Sequence, residues 1–109
     1  MEIGIDIELI ERFNLKKDDP FINSNFTKNE IDYAYSQAKP SQHLCGFFCA
    51  KEALIKTVKT QILFKFIEIN HFNTGKPFIV ILKKELKDKN FLLSISHCNK
   101  YSTAVVICT

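Results

Sequence analysis

The stretch SQHLCGFFCAKEALIKTVK, residues 41–59, decides the fold that we expect for this chain. Its apolar residues recur with the spacing of one helical face. They are Leu44, Phe47, Phe48, Leu54, Ile55 and Val58. A helix of this length measures about 28 Å, so it can cross the whole core of a chain of 109 residues. We therefore predict one long central helix, against which the other elements pack.

The N-terminal segment, residues 2–9, alternates strictly between apolar residues and other residues. Ile3, Ile5, Ile7 and Leu9 fall on one side, and Glu2, Gly4, Asp6 and Glu8 fall on the other. A period of two is typical of a strand with one buried face. The pattern predicts a half-buried β-strand whose isoleucines contact the core and whose Asp6 points away from it.

The remaining segments predict short helices followed by strands. A basic helical turn or two is expected over residues 10–17, before Asp18-Asp19-Pro20 interrupts it. Thr27 and Glu30 have the spacing of a capping box, which predicts a helix from about residue 28 to residue 37. After the central helix we expect a β-rich segment at 62–70, a turn at 73–77, a strand at 78–82, a short charged helix or turn at 83–89, and strands at 91–96 and 102–108. The fold class is therefore α+β, a single domain over residues 1–109 with mostly antiparallel strands.

The composition excludes several classes of protein. Apolar residues make up 46% of the chain, with only three Gly and three Pro, which argues against a disordered or low-complexity segment. No apolar run approaches the roughly 20 residues that span a bilayer, and the N-terminus lacks the basic region of a secretory signal. We expect a cytoplasmic protein that does not enter a membrane. The four cysteines are expected to be reduced thiols, and their spacing is a poor match to a zinc site.

The charge is distributed unevenly along the chain. Residues 1–12 carry a net charge of −3, and the remainder carries +6. Such a body attracts anions, including phosphates, acidic proteins or RNA, but it lacks the dense basic stripe of a dedicated nucleic-acid binder. An RNA-binding domain that stacks bases on its ten Phe residues is the weakest alternative, because most of these residues occupy core-periodic positions. We expect no nucleic-acid partner.

Three charged residues of the central helix call for an explanation. Lys51 follows Leu44 by seven residues on the apolar stripe, where a charge is costly unless it has a partner. The alternative is a lysine stem that packs along the surface with its ammonium in water. Glu52 and Lys56 are four residues apart and, taken alone, form an ordinary exposed ion pair.

The three glycines are too far apart to form a phosphate-binding loop.

Short motifs along nearly the whole chain point to one family. They are Gly4-Ile5-Asp6-Ile7-Glu8, Glu11-Arg12-Phe13, Phe26-Thr27 with Glu30, Gly46, Phe48-Cys49-Ala50-Lys51-Glu52-Ala53-Leu54-Ile55-Lys56, Gly75-Lys76-Pro77, Ser94-Ile95-Ser96-His97, Tyr101 and Ala104-Val105-Val106. In order and spacing these motifs resemble the holo-acyl-carrier-protein synthases, the small bacterial type of 4′-phosphopantetheinyl transferase. All three glycines of the chain fall on motif positions.

The resemblance implies transfer of the phosphopantetheine arm of CoA to a serine of apo-acyl carrier protein, with Mg²⁺ required and adenosine 3′,5′-bisphosphate released. It implies that Asp6 and Glu52 are the catalytic carboxylates that bind the metal. Mg²⁺ prefers one or two protein carboxylates together with waters and phosphate oxygens, which agrees with this pair. Lys56 is implied as a catalytic residue that contacts CoA and stabilises charge on the leaving group, and Lys51 as a further CoA contact.

The resemblance also implies contacts at the two ends of the site. Lys76 and Pro77 would lie beside the adenosine end of CoA and His97 near its phosphates, whereas the alternatives are an ordinary turn and a histidine that caps its own hairpin. Arg12, Lys16 and Lys17 would contact the acidic recognition helix of the carrier protein. Their alternative is a solvated basic helix.

Two departures from the family pattern leave a second function open. Phe47 stands where the family carries Arg, and residues 57–62 replace a Gly-rich turn. These changes favour, as the alternative, a degenerate relative that binds CoA or a carrier protein without turnover. The family resemblance further implies a homotrimer with active sites between subunits, with which Phe-rich strands in a small chain are compatible.

Overall fold

The strands of the protein form two separate antiparallel sheets. A computed structural model describes these strands and the helices for residues 1–109. The elements are β1 (Glu2–Leu9), α1 (Pro20–Asn25), α2 (Lys28–Tyr35), α3 (Pro40–Ile55), β2 (Ile67–His71), β3 (Pro77–Ile81), β4 (Phe91–His97) and β5 (Tyr101–Cys108). Short 3-10 turns cover Ile10–Phe13, Phe64–Phe66 and Lys84–Leu86. One sheet has the order β1-β5-β4, and the other pairs β2 with β3. The predicted α+β class is confirmed, in a small single domain.

Helix α3 is the centre of the core, as its apolar stripe predicts. Its buried residues run from Leu44 to Leu54 and include Lys51. The helix ends at Ile55, four residues before the predicted end. The reason is local, because the amide and the hydroxyl of Thr57 both donate to the carbonyl oxygen of Leu54, at 2.8 and 2.7 Å. Val58 therefore lies outside the helix.

The predicted orientation of β1 is wrong. Ile3, Ile5 and Ile7 are 66%, 63% and 61% exposed in the single chain, whereas Gly4 is buried and Asp6 is half-buried. The side of the strand that carries Gly4, Asp6 and Glu8 therefore faces inward, and the isoleucine side faces outward. The apolar face continues onto β5, since Ile5 pairs with Val105.

Gly4 brings β1 unusually close to α3. A Cβ atom at this position would overlap the carbonyl oxygen of Ala53 and would lie 3.1 Å from the Cβ of Lys56. Only glycine permits this approach of the two backbones. As a consequence, the side chain of Asp6, two residues along the strand, lies beside the C-terminal half of α3.

The segment before α2 also differs from its prediction. Asp19 and Pro20, interpreted as a break, begin helix α1: Pro20 is its first residue, and the Asp19 carboxylate accepts a hydrogen bond from the Phe21 amide at 2.8 Å. The helical turn expected over residues 10–17 ends at Phe13. The capping box at the start of α2 is confirmed, with Thr27 and Glu30 each accepting from the other's amide. None of the helices combines the length and the apolar character needed to cross a bilayer.

Candidate active site

The carboxylate of Asp6 lies at the contact between β1 and α3. Its Oδ2 atom is buried and has no hydrogen-bond partner, and its Oδ1 atom lies 3.7 Å from Nζ of Lys56. The Thr103 hydroxyl on β5 donates to the backbone carbonyl of Asp6 at 2.7 Å and holds the strand in place. An unpartnered buried carboxylate oxygen is costly, and a cation bound at Oδ2 would offset this cost.

Two further carboxylates surround Asp6. Burial and the charge of Asp6 raise the pKa of Glu52, against the opposing effect of Lys56. Burial and the neighbouring Asp6 carboxylate likewise raise the pKa of Glu8, although the Arg12 charge opposes the shift. Glu8 and Glu52 therefore both lose their protons less readily than an isolated carboxyl group does, because crowded carboxylates resist ionisation when nearby positive charge is insufficient. Glu8 was not among the predicted site residues, although it shares the period-two face of Asp6.

Lys56 is held beside these carboxylates. It follows the last residue of α3, and its ammonium donates to the carbonyl oxygen of Ile5 at 2.7 Å. About half of the side chain remains exposed. The hydrogen bond to β1 fixes one donor, while the other two donors of the ammonium remain free for a ligand.

The donor set at this contact fits a divalent cation that keeps several of its own ligands. No group of three or more His, Cys, Asp or Glu side chains could enclose a metal ion by itself. Mg²⁺ does not require such a group, since it binds through one or two carboxylates together with waters and substrate phosphates. The unpartnered Oδ2 of Asp6 and the nearby carboxylate of Glu52 are oxygen donors of the kind that Mg²⁺ prefers.

Lys51 does not lie at this site, which contradicts its expected contact with CoA. Its side chain is completely buried, and its ammonium donates to Glu30 Oε1 at 2.7 Å, to the Asn25 carbonyl at 2.9 Å and to the Phe64 carbonyl at 3.0 Å. All three donors of the ammonium are therefore used within the chain. Glu30 also accepts from the Ile69 amide at 2.8 Å, so the pair connects α2, α3 and β2.

The expected nucleotide contacts meet elsewhere, at a cavity of about 180 Å³ that we call the histidine cavity. Its walls include Gln42, His43, Phe47, His71, Pro77 and His97. The structure thus brings Pro77 and His97 together, while Lys76 is an exposed residue of the adjoining turn. Gln42 Nε2 lies 2.9 Å from His97 Nδ1. His43 and His71 belong to none of the predicted contacts, and the only signal for them in the sequence is that the chain has just three histidines.

The three basic residues expected to contact a carrier protein are all exposed. Arg12 forms an ion pair with Glu8, and Lys17 lies 3.5 Å from a carboxylate oxygen of Asp32. Lys16 and Lys17 do not share a helix with Arg12, because the 3-10 turn ends at Phe13. The link from Arg12 through Glu8 to Asp6 joins this surface to the carboxylates.

Comparison with known proteins gives a consistent result. A family model of the 4′-phosphopantetheinyl transferase superfamily matches residues 2–106. A holo-[acyl-carrier-protein] synthase of Protochlamydia amoebophila is 40% identical, over 96% of this chain and 94% of the relative. One of Thermodesulfovibrio yellowstonii is 37% identical, over 98% and 96% respectively.

Solved structures agree with the sequence relatives. The holo-[acyl-carrier-protein] synthase of Neisseria meningitidis superimposes with a TM-score of 0.86 at 30% identity, over 99% of this chain and 97% of the other. The Bacillus anthracis enzyme, solved in complex with CoA (3′,5′-ADP), gives a TM-score of 0.83 at 31% identity, over 98% and 94%. With this fold, this coverage and the motifs that surround Asp6 and Glu52, the chain belongs to the holo-[acyl-carrier-protein] synthase family of 4′-phosphopantetheinyl transferases.

Proposed function

We propose that this protein transfers 4′-phosphopantetheine from CoA to a serine of apo-acyl carrier protein in a Mg²⁺-dependent reaction. The products are holo-carrier and adenosine 3′,5′-bisphosphate. The observation that carries the proposal is the buried, unpartnered Oδ2 of Asp6, with Glu52 nearby and Nζ of Lys56 3.7 Å from the other oxygen, Oδ1, of the same carboxylate. Phosphoryl transfer depends chiefly on charge neutralisation and positioning, and this arrangement can supply both.

Asp6 and Glu52 are the residues that would hold the metal. Asp6 offers Oδ2, and Glu52 lies close enough for the Asp6 charge to raise its pKa. A bound Mg²⁺ supplies positive charge that neutralises the pyrophosphate oxygens of CoA. The two carboxylates come from different elements, so the contact of β1 with α3 at Gly4 fixes their separation.

In the transfer step, the serine oxygen forms a bond to the phosphorus that bears pantetheine. The bond from that phosphorus to the oxygen of the leaving nucleotide breaks at the same time. The serine proton passes to Asp6, directly or through a water that its carboxylate holds. Lys56, anchored on the Ile5 carbonyl, stabilises the charge that develops on the leaving phosphate.

The two substrates would approach from different sides. Pro77 and His97, at the histidine cavity, would contact the nucleotide end of CoA, with Lys76 at its edge. Arg12, Lys16 and Lys17 would attract the acidic surface of a carrier protein. Support for CoA as a substrate comes from the related Bacillus anthracis enzyme, which was solved with CoA.

We further propose that the protein acts as a homotrimer with active sites between subunits. The exposed face of β1 supports this, because Ile3, Ile5 and Ile7 form a continuous apolar row next to half-buried Val105 and Ile107 of β5. An apolar patch of this kind typically marks an interface, and copies of the chain in closed symmetry would cover it.

One experiment separates turnover from binding. The purified protein is incubated with CoA, MgCl₂ and apo-acyl carrier protein, and the carrier is weighed by mass spectrometry. We expect a mass increase of one phosphopantetheine group, which is absent when MgCl₂ is replaced by EDTA and with the Asp6→Ala variant. CoA binding without a mass increase would instead favour the degenerate relative that Phe47 suggests.

A further inference from the structure

All three histidines of the chain gather at the histidine cavity, although they are far apart in sequence. His43 comes from α3, His71 from β2 and His97 from β4. The only other titratable side chain in the walls is that of Tyr33 from α2, and β3 contributes Pro77. No carboxylate lines the cavity, and Lys76 adjoins it in the turn before β3. The cavity can therefore become positive but never negative at physiological pH.

The family's arginine is replaced in this wall by an aromatic ring. Phe47 is almost completely buried, and its ring centroid lies 5.7 Å from that of His71 and 6.4 Å from that of His43. Tyr33 stacks on His71 at 4.1 Å and meets His43 edge to face at 5.4 Å. The imidazoles are thus held in fixed positions, and the cavity walls include no Arg or Lys.

Both supported imidazoles resist protonation in the free protein. Burial lowers the pKa of His43, and the nearby His97 adds to the effect. Burial and His43 likewise lower the pKa of His71. An anion in the cavity reverses this balance, because a neighbouring negative charge favours the imidazolium form. Binding of an anion would therefore be accompanied by proton uptake.

We propose that the histidine cavity binds the 3′-phosphate of CoA, with uptake of a proton by His43 or His71 in place of a permanent arginine charge. This inference rests on the proposed function, in which the pyrophosphate of CoA lies at Asp6, Glu52 and Lys56. The 3′-phosphate is then the one phosphate of CoA without a partner. A cavity of about 180 Å³ is smaller than the usual site of a whole ligand, so it suits a single phosphate group.

The test compares CoA with dephospho-CoA, which lacks only the 3′-phosphate. Both ligands are titrated into the protein by isothermal calorimetry at about pH 6.5 and about pH 8, on either side of the ordinary range of histidine. We expect the dissociation constant of dephospho-CoA, divided by that of CoA, to be about three- to tenfold larger at the lower pH. The reason is that uptake of one full proton changes affinity tenfold per pH unit. An equal ratio at both values would overturn the inference.

The double variant His43→Phe/His71→Phe tests whether these two histidines cause the pH dependence. It keeps the aromatic packing but cannot take up a proton, so the ratio should become independent of pH, and the binding enthalpy should no longer depend on the ionisation enthalpy of the buffer. Tyr33→Phe is the matched control and should retain the dependence. If the double variant retains it as well, these two histidines are not the proton acceptors. The double variant His43→Asn/His71→Asn repeats the test with polar side chains that also cannot take up a proton. Thermal melting checks that each double variant is folded.

The outcome is distinguishable from failure of the proposed function. A protein that modifies the carrier but shows a pH-independent ratio retains the function and loses only this inference. A protein with the expected pH dependence that leaves the carrier unmodified retains the nucleotide site and loses turnover.

Discussion

The ammonium of Lys51 lies 2.7 Å from Glu30 Oε1, and neither side chain has any exposed surface. Lys56, five residues later on the chain, is half exposed and lies beside Asp6. Lys51 thus joins α3 to α2 inside the core, whereas Lys56 faces the carboxylates. The two lysines therefore differ in what their removal would change, since one loss affects the folded state and the other the reaction.

Lys51→Met should destabilise the protein by about 3–5 kcal/mol, because it leaves the Glu30 carboxylate buried without its partner. Urea unfolding followed by circular dichroism measures the change. The double variant Glu30→Gln/Lys51→Met removes both charges and should be more stable than the two single changes predict by addition. A Lys51→Met protein as stable as the parent would contradict the structural role.

Lys56→Ala should lower kcat by about a hundredfold or more with little change in melting temperature, since it removes charge stabilisation from the transition state. Steady-state kinetics of carrier modification give the rate. Lys59→Ala is the control, because Lys59 is also exposed and lies in the segment that follows α3. Equal losses for the two variants would show that the effect is general electrostatics.

Glu52→Gln should stabilise the metal-free protein at neutral pH. The pKa of Glu52 is raised in the folded state, so this group favours folding below its unfolded value of about 4.5, and that contribution is lost as pH rises through the folded pKa. The stability difference between variant and parent should therefore grow from about pH 4.5 towards pH 7. Thermal melts without divalent ions measure it. Added MgCl₂ should stabilise the parent and not the variant.

Arg12→Ala should raise KM for the carrier protein and leave KM for CoA unchanged. Electrostatic attraction at this surface is screened over roughly 8–10 Å at ordinary ionic strength, so NaCl should also raise KM for the carrier more than KM for CoA. Lys87→Ala is the matched control, because Lys87 is also an exposed basic residue but lies beside the last 3-10 turn. Equal salt sensitivity for the two substrates would argue against docking at Arg12.

Ile5→Lys should dissociate the proposed homotrimer, because it places a charge in the middle of the apolar face of β1. Size-exclusion chromatography with light scattering measures the mass. Leu63→Lys changes a side chain that is 70% exposed outside this sheet and should leave the mass unchanged. A monomeric parent protein would contradict the proposal directly.

Local signals predicted much of the fold. The apolar stripe of α3 and the capping box of α2 each depend on residues within a few turns, so their elements could be located from sequence. The orientation of β1 could not, because a period of two does not reveal which face contacts the same chain. Asp19-Pro20 is equally typical of a break and of a helix start, and only the hydrogen bond to the Phe21 amide distinguishes them.

The candidate site was predicted in part for a similar reason. Asp6, Glu52 and Lys56 are carried by short motifs, and the structure brings them together. The partner of Lys51 could not be predicted, because Glu30 lies 21 residues earlier and the sequence indicates only its capping role. His43 and His71 belong to no motif, so their convergence depends on how β2 packs beside α2 and α3.

Gly4 has a consequence for the interpretation of mutational scans. Since any side chain there would push against Ala53, it would separate the strand that carries Asp6 from the helix that carries Glu52. Substitutions at this position should abolish activity as completely as substitutions of the carboxylates themselves. A residue with no side chain and no contact with substrate would then be scored as part of the catalytic machinery, when it serves as the spacer of that machinery.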